Sequence, residues 1–123
     1  MSWSRWRATA VLALLVAAFA QPALAQNWPT RAVKFIVPFG PGAGADIGAR
    51  LVAEKLQTKW GQPVVVENKP GGDNIIAIQA LLGANDDHVL MFGPSGGFTV
   101  HPFTYAKLSY NPADLIPIAR EIG

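Results

Sequence analysis

The sequence predicts an α/β fold in which a parallel sheet forms the middle of three layers. After residue 25 the elements alternate as strand, helix, strand, helix, strand with short connections, the order that right-handed parallel crossovers produce. The strand segments are apolar on both faces, as strands covered by helices must be. Each strand is followed by a loop rich in glycine and other small residues.

The first strand is predicted over residues 31–37, which are rich in β-branched and aromatic side chains. Proline and glycine at 38–44 predict a loop. A helix over 45–60 follows, because its apolar residues fall on one face: Ile47, Leu51, Val52, Leu56 and Trp60. Asp46 lies in the first turn, where a carboxylate suits the helix dipole, and Gly61 is predicted to end the helix.

The second strand is predicted over 64–67, and a second glycine-rich loop over 68–73. Asn74 is predicted as the N-cap of a helix over 75–82 that ends at Gly83.

The third strand is predicted over 89–92, followed by a third small-residue loop at 93–97 and no recognisable helix directly after it. Residues 105–112 have the composition of an irregular surface segment, and a further strand is predicted to start within 115–119.

Residues 1–25 have the three parts of a secretory signal peptide. A basic start precedes the uncharged apolar run 8–20, and Ala23-Leu24-Ala25 forms a small-x-small cleavage site. The run is too short to span a bilayer, which favours cleavage after Ala25 over an uncleaved membrane anchor. The chain is therefore predicted to be exported from the cytoplasm.

The signal peptide also accounts for the positive charge of the chain. The sequence has 10 basic and 8 acidic residues, and Arg5 and Arg7 leave with the signal, so the remaining chain is neutral. It offers no charge pattern for nucleic acid. Without cysteine, residues 26–123 cannot be cross-linked by disulfides and must bury a core as one small domain.

The three loops carry the chemistry that the sequence suggests. In a parallel sheet they lie at the same carboxyl edge, where ligands bind. Two of them run into helix N-termini, which offer backbone N–H groups and partial positive charge to an anion. Ser95 adds a hydroxyl group. The predicted ligand is a small anion, a carboxylate above all.

Other interpretations of the same residues remain open. Residues 40–45 fit a dinucleotide-binding fingerprint, and Glu67 follows at the sequence spacing of a residue that binds the ribose. Against this, Pro38-Phe39 separates the strand from the tight turn of the fingerprint, and an exported chain is not expected to meet free nicotinamide cofactor. Ser95 resembles a hydrolase nucleophile in an imperfect motif. His88 and His101 lack metal-ligand spacing and are interpreted as surface or turn residues, so neither a metal nor a cofactor is predicted.

Four segments resemble the Bug-type receptors, the periplasmic solute-binding proteins of tripartite tricarboxylate transporters. Residues 28–42 contain Trp-Pro, a strand ending in Val-Pro-Phe and a Gly-Pro-Gly loop. Residues 61–71 are similar to the second-strand signature of the family, 89–96 to its third strand and loop, and 105–112 to the segment that follows. The four segments occur in the family's order.

The resemblance implies a type II periplasmic-binding-protein-like fold with two α/β lobes that close on a small organic acid. It implies a binding protein and not an enzyme, a monomer when complete, with the membrane subunits of a tripartite transporter as partners. By position, the implied ligand-binding residues are Phe39, Pro41, Gly42, Ala43, Asp46, Gly72, Asn74, Ser95 and Gly96.

The sequence departs from the family in three ways. Ala43 stands where the family has a second glycine, and Asp73 stands where a glycine is common. Asp73 would oppose a bound carboxylate unless it turns away or pairs with Lys69. Family members are much longer, so residues 26–123 are expected to form only part of the first lobe. An exported hydrolase-like α/β enzyme and a non-functional truncated remnant are the alternatives.

Overall fold

The computed structural model describes residues 27–119. In this range three strands form one parallel sheet in the order β2-β1-β3. The strands are β1 (Val33–Val37), β2 (Val64–Asn68) and β3 (Val89–Met91), and the connecting helices are α1 (Gly44–Trp60) and α2 (Ile75–Ala84). Short helices α3 (Gly96–Thr99) and α4 (His101–Thr104) follow β3, and 3-10 turns lie at Gly72–Asn74 and Pro112–Asp114. The parallel α/β class is confirmed.

Helices cover both faces of the central strand β1. Val33, Phe35 and Val37 are buried in one cluster with Ala49 and Ala53 of α1. Side chains alternate along a strand, so Ile36 points to the opposite face, the side of α2, which contacts β1 and β3. Ile36 is only 2% exposed. This is the three-layer arrangement that the sequence predicts.

The predicted end of α1 is confirmed at Gly61. Its φ of 68° is left-handed, and its N–H donates to the Gln57 carbonyl at an N–O distance of 2.9 Å. Trp60, the last residue of α1, contacts Trp28 with ring centroids 5.0 Å apart. The Trp28 side chain thus packs the start of the described chain against the domain.

Several predicted boundaries are wrong. α1 begins one residue early, at Gly44, and β2 ends one residue late, at Asn68. β1 begins two residues later than predicted, at Val33, whose N–H donates to the Pro63 carbonyl. α2 passes through Gly83 to Ala84, because the left-handed turn that ends it falls on Asn85, with a φ of 45°. β3 ends at Met91, one residue before the predicted end.

The predicted strand within 115–119 is also wrong. The described chain forms no strand there, and Ile116 and Ile118 are 83% and 76% exposed. Apolar side chains form a stable strand only where a neighbouring strand and a covering layer are present. The described residues supply neither to this segment.

Several sequence predictions lie outside the described residues. The signal peptide at 1–25 and its cleavage after Ala25 are among them, as are the ends of the predicted domain 26–123. Within 27–119, no helix has both the length and the apolar character needed to cross a membrane.

Candidate functional site

Loops 1, 2 and 3 lie at the carboxyl ends of β1, β2 and β3 and comprise residues 38–43, 69–74 and 92–95. Because the strands are parallel, all three loops lie at one edge of the sheet. The structure places every predicted site residue in a loop or in the first turn of the helix that follows it: Phe39, Pro41, Gly42, Ala43, Asp46, Gly72, Asn74, Ser95 and Gly96.

Loop 1 adjoins both the start of loop 2 and loop 3. The Asn68 side chain, at the end of β2 just before loop 2, donates to the Phe39 carbonyl of loop 1 with an N–O distance of 2.8 Å. A Cβ atom on Gly93 of loop 3 would lie 2.8 Å from Pro38 Cγ of loop 1, so loops 1 and 3 approach each other closely. The edge is therefore one connected surface.

All three helices that leave these loops lack a side-chain cap. Ala43, Asn74 and Ser95 precede α1, α2 and α3, and none of their side chains accepts a hydrogen bond from the helix. The first N–H groups of a helix have no partner within the helix and carry partial positive charge. The three N-termini therefore lack side-chain caps at this edge, although the Ile75 N–H of α2 donates to the Gly72 carbonyl and the Phe98 N–H of α3 to the Ser95 carbonyl.

Two predictions about these helix ends are corrected. Asn74 occupies the N-cap position, but its φ of 70° is left-handed, whereas a capping side chain requires extended backbone. A helix, α3, does follow Ser95, although its four residues are too few for helical periodicity to show in the sequence. The predicted absence of a helix therefore no longer counts against a Ser95 nucleophile.

Loop 1 is a tight turn held by Asp46. The Ala43 N–H donates to the Gly40 carbonyl at 3.2 Å, and the φ of 86° at Gly42 is one that side chains rarely adopt. Ala43 itself has an ordinary φ of −65°. The alanine that replaces the family's glycine is thus compatible with the turn.

The Asp46 carboxylate is buried and fully engaged by the protein. Oδ2 accepts from the Gly42 N–H at 2.9 Å and from Arg50 Nε at 3.0 Å, and Oδ1 accepts from Asn68 Nδ2 at 2.8 Å. The Arg50 hydrogen bond is the main reason that the pKa of Asp46 falls to about 2. These contacts assign Asp46 to the shape of loop 1, and its direct contact with a ligand stays a prediction.

Asp73 turns toward α4 and away from Lys69. Its Oδ2 lies 3.2 Å from His101 Nε2 and accepts from the Tyr105 hydroxyl at 3.1 Å, which raises the pKa of Tyr105. Lys69 instead pairs with Glu67, with Nζ 2.7 Å from Oε1. Of the two alternatives expected for Asp73, pairing with Lys69 is therefore not observed, and the carboxylate contacts His101 and Tyr105 instead.

Neither histidine is a surface residue, although His88 lies in a turn as predicted. His88 and His101 are 4% and 2% exposed, because each ring has polar partners that compensate for burial. His88 Nε2 accepts from the Thr30 N–H at 3.1 Å, and Nδ1 lies 2.6 Å from Asp87 Oδ1. These partners are distant in sequence or come from irregular segments, so no sequence pattern predicts that the two histidines are buried.

One group in the described range has the composition of a metal site: Asp86, Asp87 and His88, with donor atoms within 4.8 Å of one another. Asp86 accepts two hydrogen bonds from the Arg31 guanidinium, and both His88 ring nitrogens contact protein atoms. The donors are thus already used by the fold.

Known proteins with matching sequences identify the family of this chain. Residues 48–122 match the tripartite tricarboxylate transporter family receptor, and the chain belongs to that family. It is 42% identical over 118 residues to a UPF0065 protein of Bordetella pertussis, in an alignment that covers 95% of this chain and 36% of that relative. It therefore spans about a third of the length of that curated relative.

Solved structures agree with the family. The structure of R. palustris Rpa4515 with adipate has a TM-score of 0.63 and 33% identity, over 70% of this chain and 29% of that one. The structure of the periplasmic binding protein BugD has a TM-score of 0.59 and 32% identity, over 69% of this chain and 28% of that one. The family and its structural neighbours are binding proteins.

Proposed function

We propose that this chain forms part of an extracytoplasmic receptor that captures a small organic acid for a tripartite tricarboxylate-type transporter. The observation that supports this most is the set of three helix N-termini without side-chain caps at one sheet edge. A carboxylate placed there would accept hydrogen bonds from the first-turn N–H groups and meet the positive ends of the helix dipoles.

The residues around this edge suit a carboxylate with a short hydrocarbon body. Phe39 is 37% exposed and offers an apolar ring beside loop 1, while Pro41 and Gly42 are exposed next to it. Gly72 and Asn74 from loop 2, with Ser95 and Gly96 from loop 3, supply small or polar groups. Adipate, the ligand named for one structural neighbour, has this chemistry.

In the proposed receptor, residues 26–123 belong to the first lobe and the carboxyl edge forms one wall of the ligand cleft. A second lobe would supply the opposite wall and would close over the ligand about a hinge. The transporter's membrane subunits would receive the ligand from the closed receptor. A signal peptide cleaved after Ala25 would deliver the protein to the periplasm. The structural neighbour BugD is described as a periplasmic binding protein.

The structure gives little support to the enzymatic alternatives. Ser95 would need a neighbouring base to act as a nucleophile, but the rings of His88 and His101 make hydrogen-bond contacts with other residues. Glu67, the candidate ribose ligand, is held by Lys34 and Lys69 at 2.7 Å each. These two contacts lower its pKa to about 2 and occupy the carboxylate.

The proposal is tested by calorimetric titration of the purified chain with adipate, succinate and citrate. Adipamide serves as the matched uncharged control. We expect saturable binding of at least one acid and no binding of the diamide, because only a carboxylate complements the helix N-termini. A chain that shows a cooperative thermal transition and yet binds none of the acids would contradict the proposal. A chain without such a transition would support the remnant alternative instead.

A further inference from the structure

A polar and aromatic cluster joins loop 2 to the segment that follows loop 3. It consists of Asp73, Gly97, His101, Tyr105 and Tyr110, and we call it the clasp. We propose that His101 is a positioning residue that holds loop 2 in its ligand-binding conformation; this inference rests on the proposed function.

His101 is the centre of the clasp. It is 2% exposed, so its ring nitrogens need partners to offset the cost of leaving water. Nε2 lies 3.2 Å from Asp73 Oδ2, and Nδ1 lies 2.7 Å from the Tyr110 hydroxyl oxygen. One imidazole thus contacts both loop 2 and the irregular segment after α4.

Tyr110 extends these contacts to the residue after Gly96. Its hydroxyl donates to the Gly97 carbonyl at an O–O distance of 2.6 Å. The same hydroxyl oxygen lies 2.7 Å from His101 Nδ1. The path from Asp73 through His101 and Tyr110 to Gly97 therefore connects two predicted ligand loops.

Loop 2 needs such support because its backbone is unusual. Residues 71–74 all have positive φ: Gly71 at 111°, Gly72 at 57°, Asp73 at 50° and Asn74 at 70°. The left-handed region costs free energy for residues other than glycine and persists where the surroundings hold it. The Asp73 carboxylate is held by His101 and Tyr105, and its neighbours Gly72 and Asn74 are predicted ligand residues.

The contact with Asp73 also concerns the ligand directly. A free carboxylate in loop 2 would repel an anionic ligand at the same edge. The Tyr105 hydroxyl donates to that carboxylate and His101 Nε2 lies 3.2 Å from it, so both contacts hold it on the α4 side. The clasp would thus fix the loop and keep its acid away from the ligand.

The test compares His101→Leu with His101→Gln, whose amide nitrogen can still reach Asp73. Amide hydrogen exchange is measured across the chain, and the dissociation constant of adipate is measured on the folded variants. We expect His101→Leu to speed exchange in residues 71–74 while residues 40–43 keep their rates. We also expect adipate to bind about tenfold more weakly, the effect of losing one contact to a charged group. His101→Gln should restore most of both properties.

Two further variants keep the inference open to contradiction. Asp73→Asn removes the charge without changing the shape, and it should reproduce the faster exchange of loop 2 if His101→Leu does not fold. Phe103→Leu changes a residue of α4 that is 88% exposed and should alter neither property.

Unchanged exchange in loop 2 of folded His101→Leu or Asp73→Asn would overturn the inference. If the unsubstituted chain binds no acid, the proposed function fails. The exchange result still decides whether the clasp holds loop 2.

Discussion

Asp46 shows what one buried carboxylate does for the edge of this sheet. Sequence reasoning places it in the first turn of a helix and among the ligand residues. It does not reveal that Gly42, Arg50 and Asn68 all donate to it, because Asn68 reaches it only once β1 and β2 are paired. The position of Asp46 is predictable from local pattern, whereas its partners depend on tertiary structure.

The lowered pKa of Asp46 predicts an acid-sensitive contribution to stability. Its pKa falls from the ordinary aspartate value of 3.8 to about 2 in the folded chain, so the unfolded state binds more protons between these values. The stabilisation is fully present above roughly pH 4 and is lost as the pH falls toward about 2. Asp46→Asn should lower Tm at neutral pH and make Tm depend less on pH across this range.

Thermal unfolding followed by circular dichroism at several pH values measures this effect. Glu54→Gln is the matched control, because Glu54 is an exposed residue of the same helix and its loss changes the net charge equally. Glu67 and Asp86 also have pKa values lowered to about 2 and therefore also make Tm depend on pH. The contribution of Asp46 is the difference between the Asp46→Asn and Glu54→Gln curves. An Asp46→Asn curve parallel to that of Glu54→Gln would contradict the prediction.

At the scale of elements, α2 shows how glycines that look alike in sequence differ in role. Gly83 is predicted to end α2 but lies inside it, and a Cβ there would have no atom within 4 Å. Gly97 is buried beside α2, and a Cβ on it would lie 2.5 Å from Ile78 Cδ1. The sequence contains both glycines, but which one permits close packing depends on how α3 meets α2.

We therefore predict opposite effects for alanine at these two glycines. Gly97→Ala should lower the free energy of unfolding by about 1–3 kcal/mol, because the methyl group overpacks the contact with Ile78. Gly83→Ala should raise it by about 0.5–1 kcal/mol, because alanine is the better residue in a helix interior. Urea unfolding measures both.

Ile78→Val provides a further check of the Gly97 prediction, since it removes the Cδ1 atom that the new methyl group would meet. The double variant with Gly97→Ala should lose less free energy of unfolding than the two single variants lose together. A Gly97→Ala variant as stable as the unsubstituted chain would show that the contact is not tight.

At the scale of the whole molecule, the order of elements is the most predictable property. Strong apolar strands, an amphipathic α1 and loops rich in glycine predict a parallel sheet with its loops at one edge, and the structure has this arrangement. The segment after β3 is predicted least well. Short helices α3 and α4 have no periodicity to detect, and the burial of His101 arises from contacts with Asp73 and Tyr110.

The central claim is that the three loops form one carboxylate site, and an amide-resolved NMR titration with adipate tests it most directly. We predict saturable shifts for first-turn amides of all three helices, in residues 44–47, 75–77 and 96–98, with no shifts from adipamide. Such shifts would place the anion at the helix N-termini. Shifts confined to other parts of the folded chain, or none at any adipate concentration, would contradict the account.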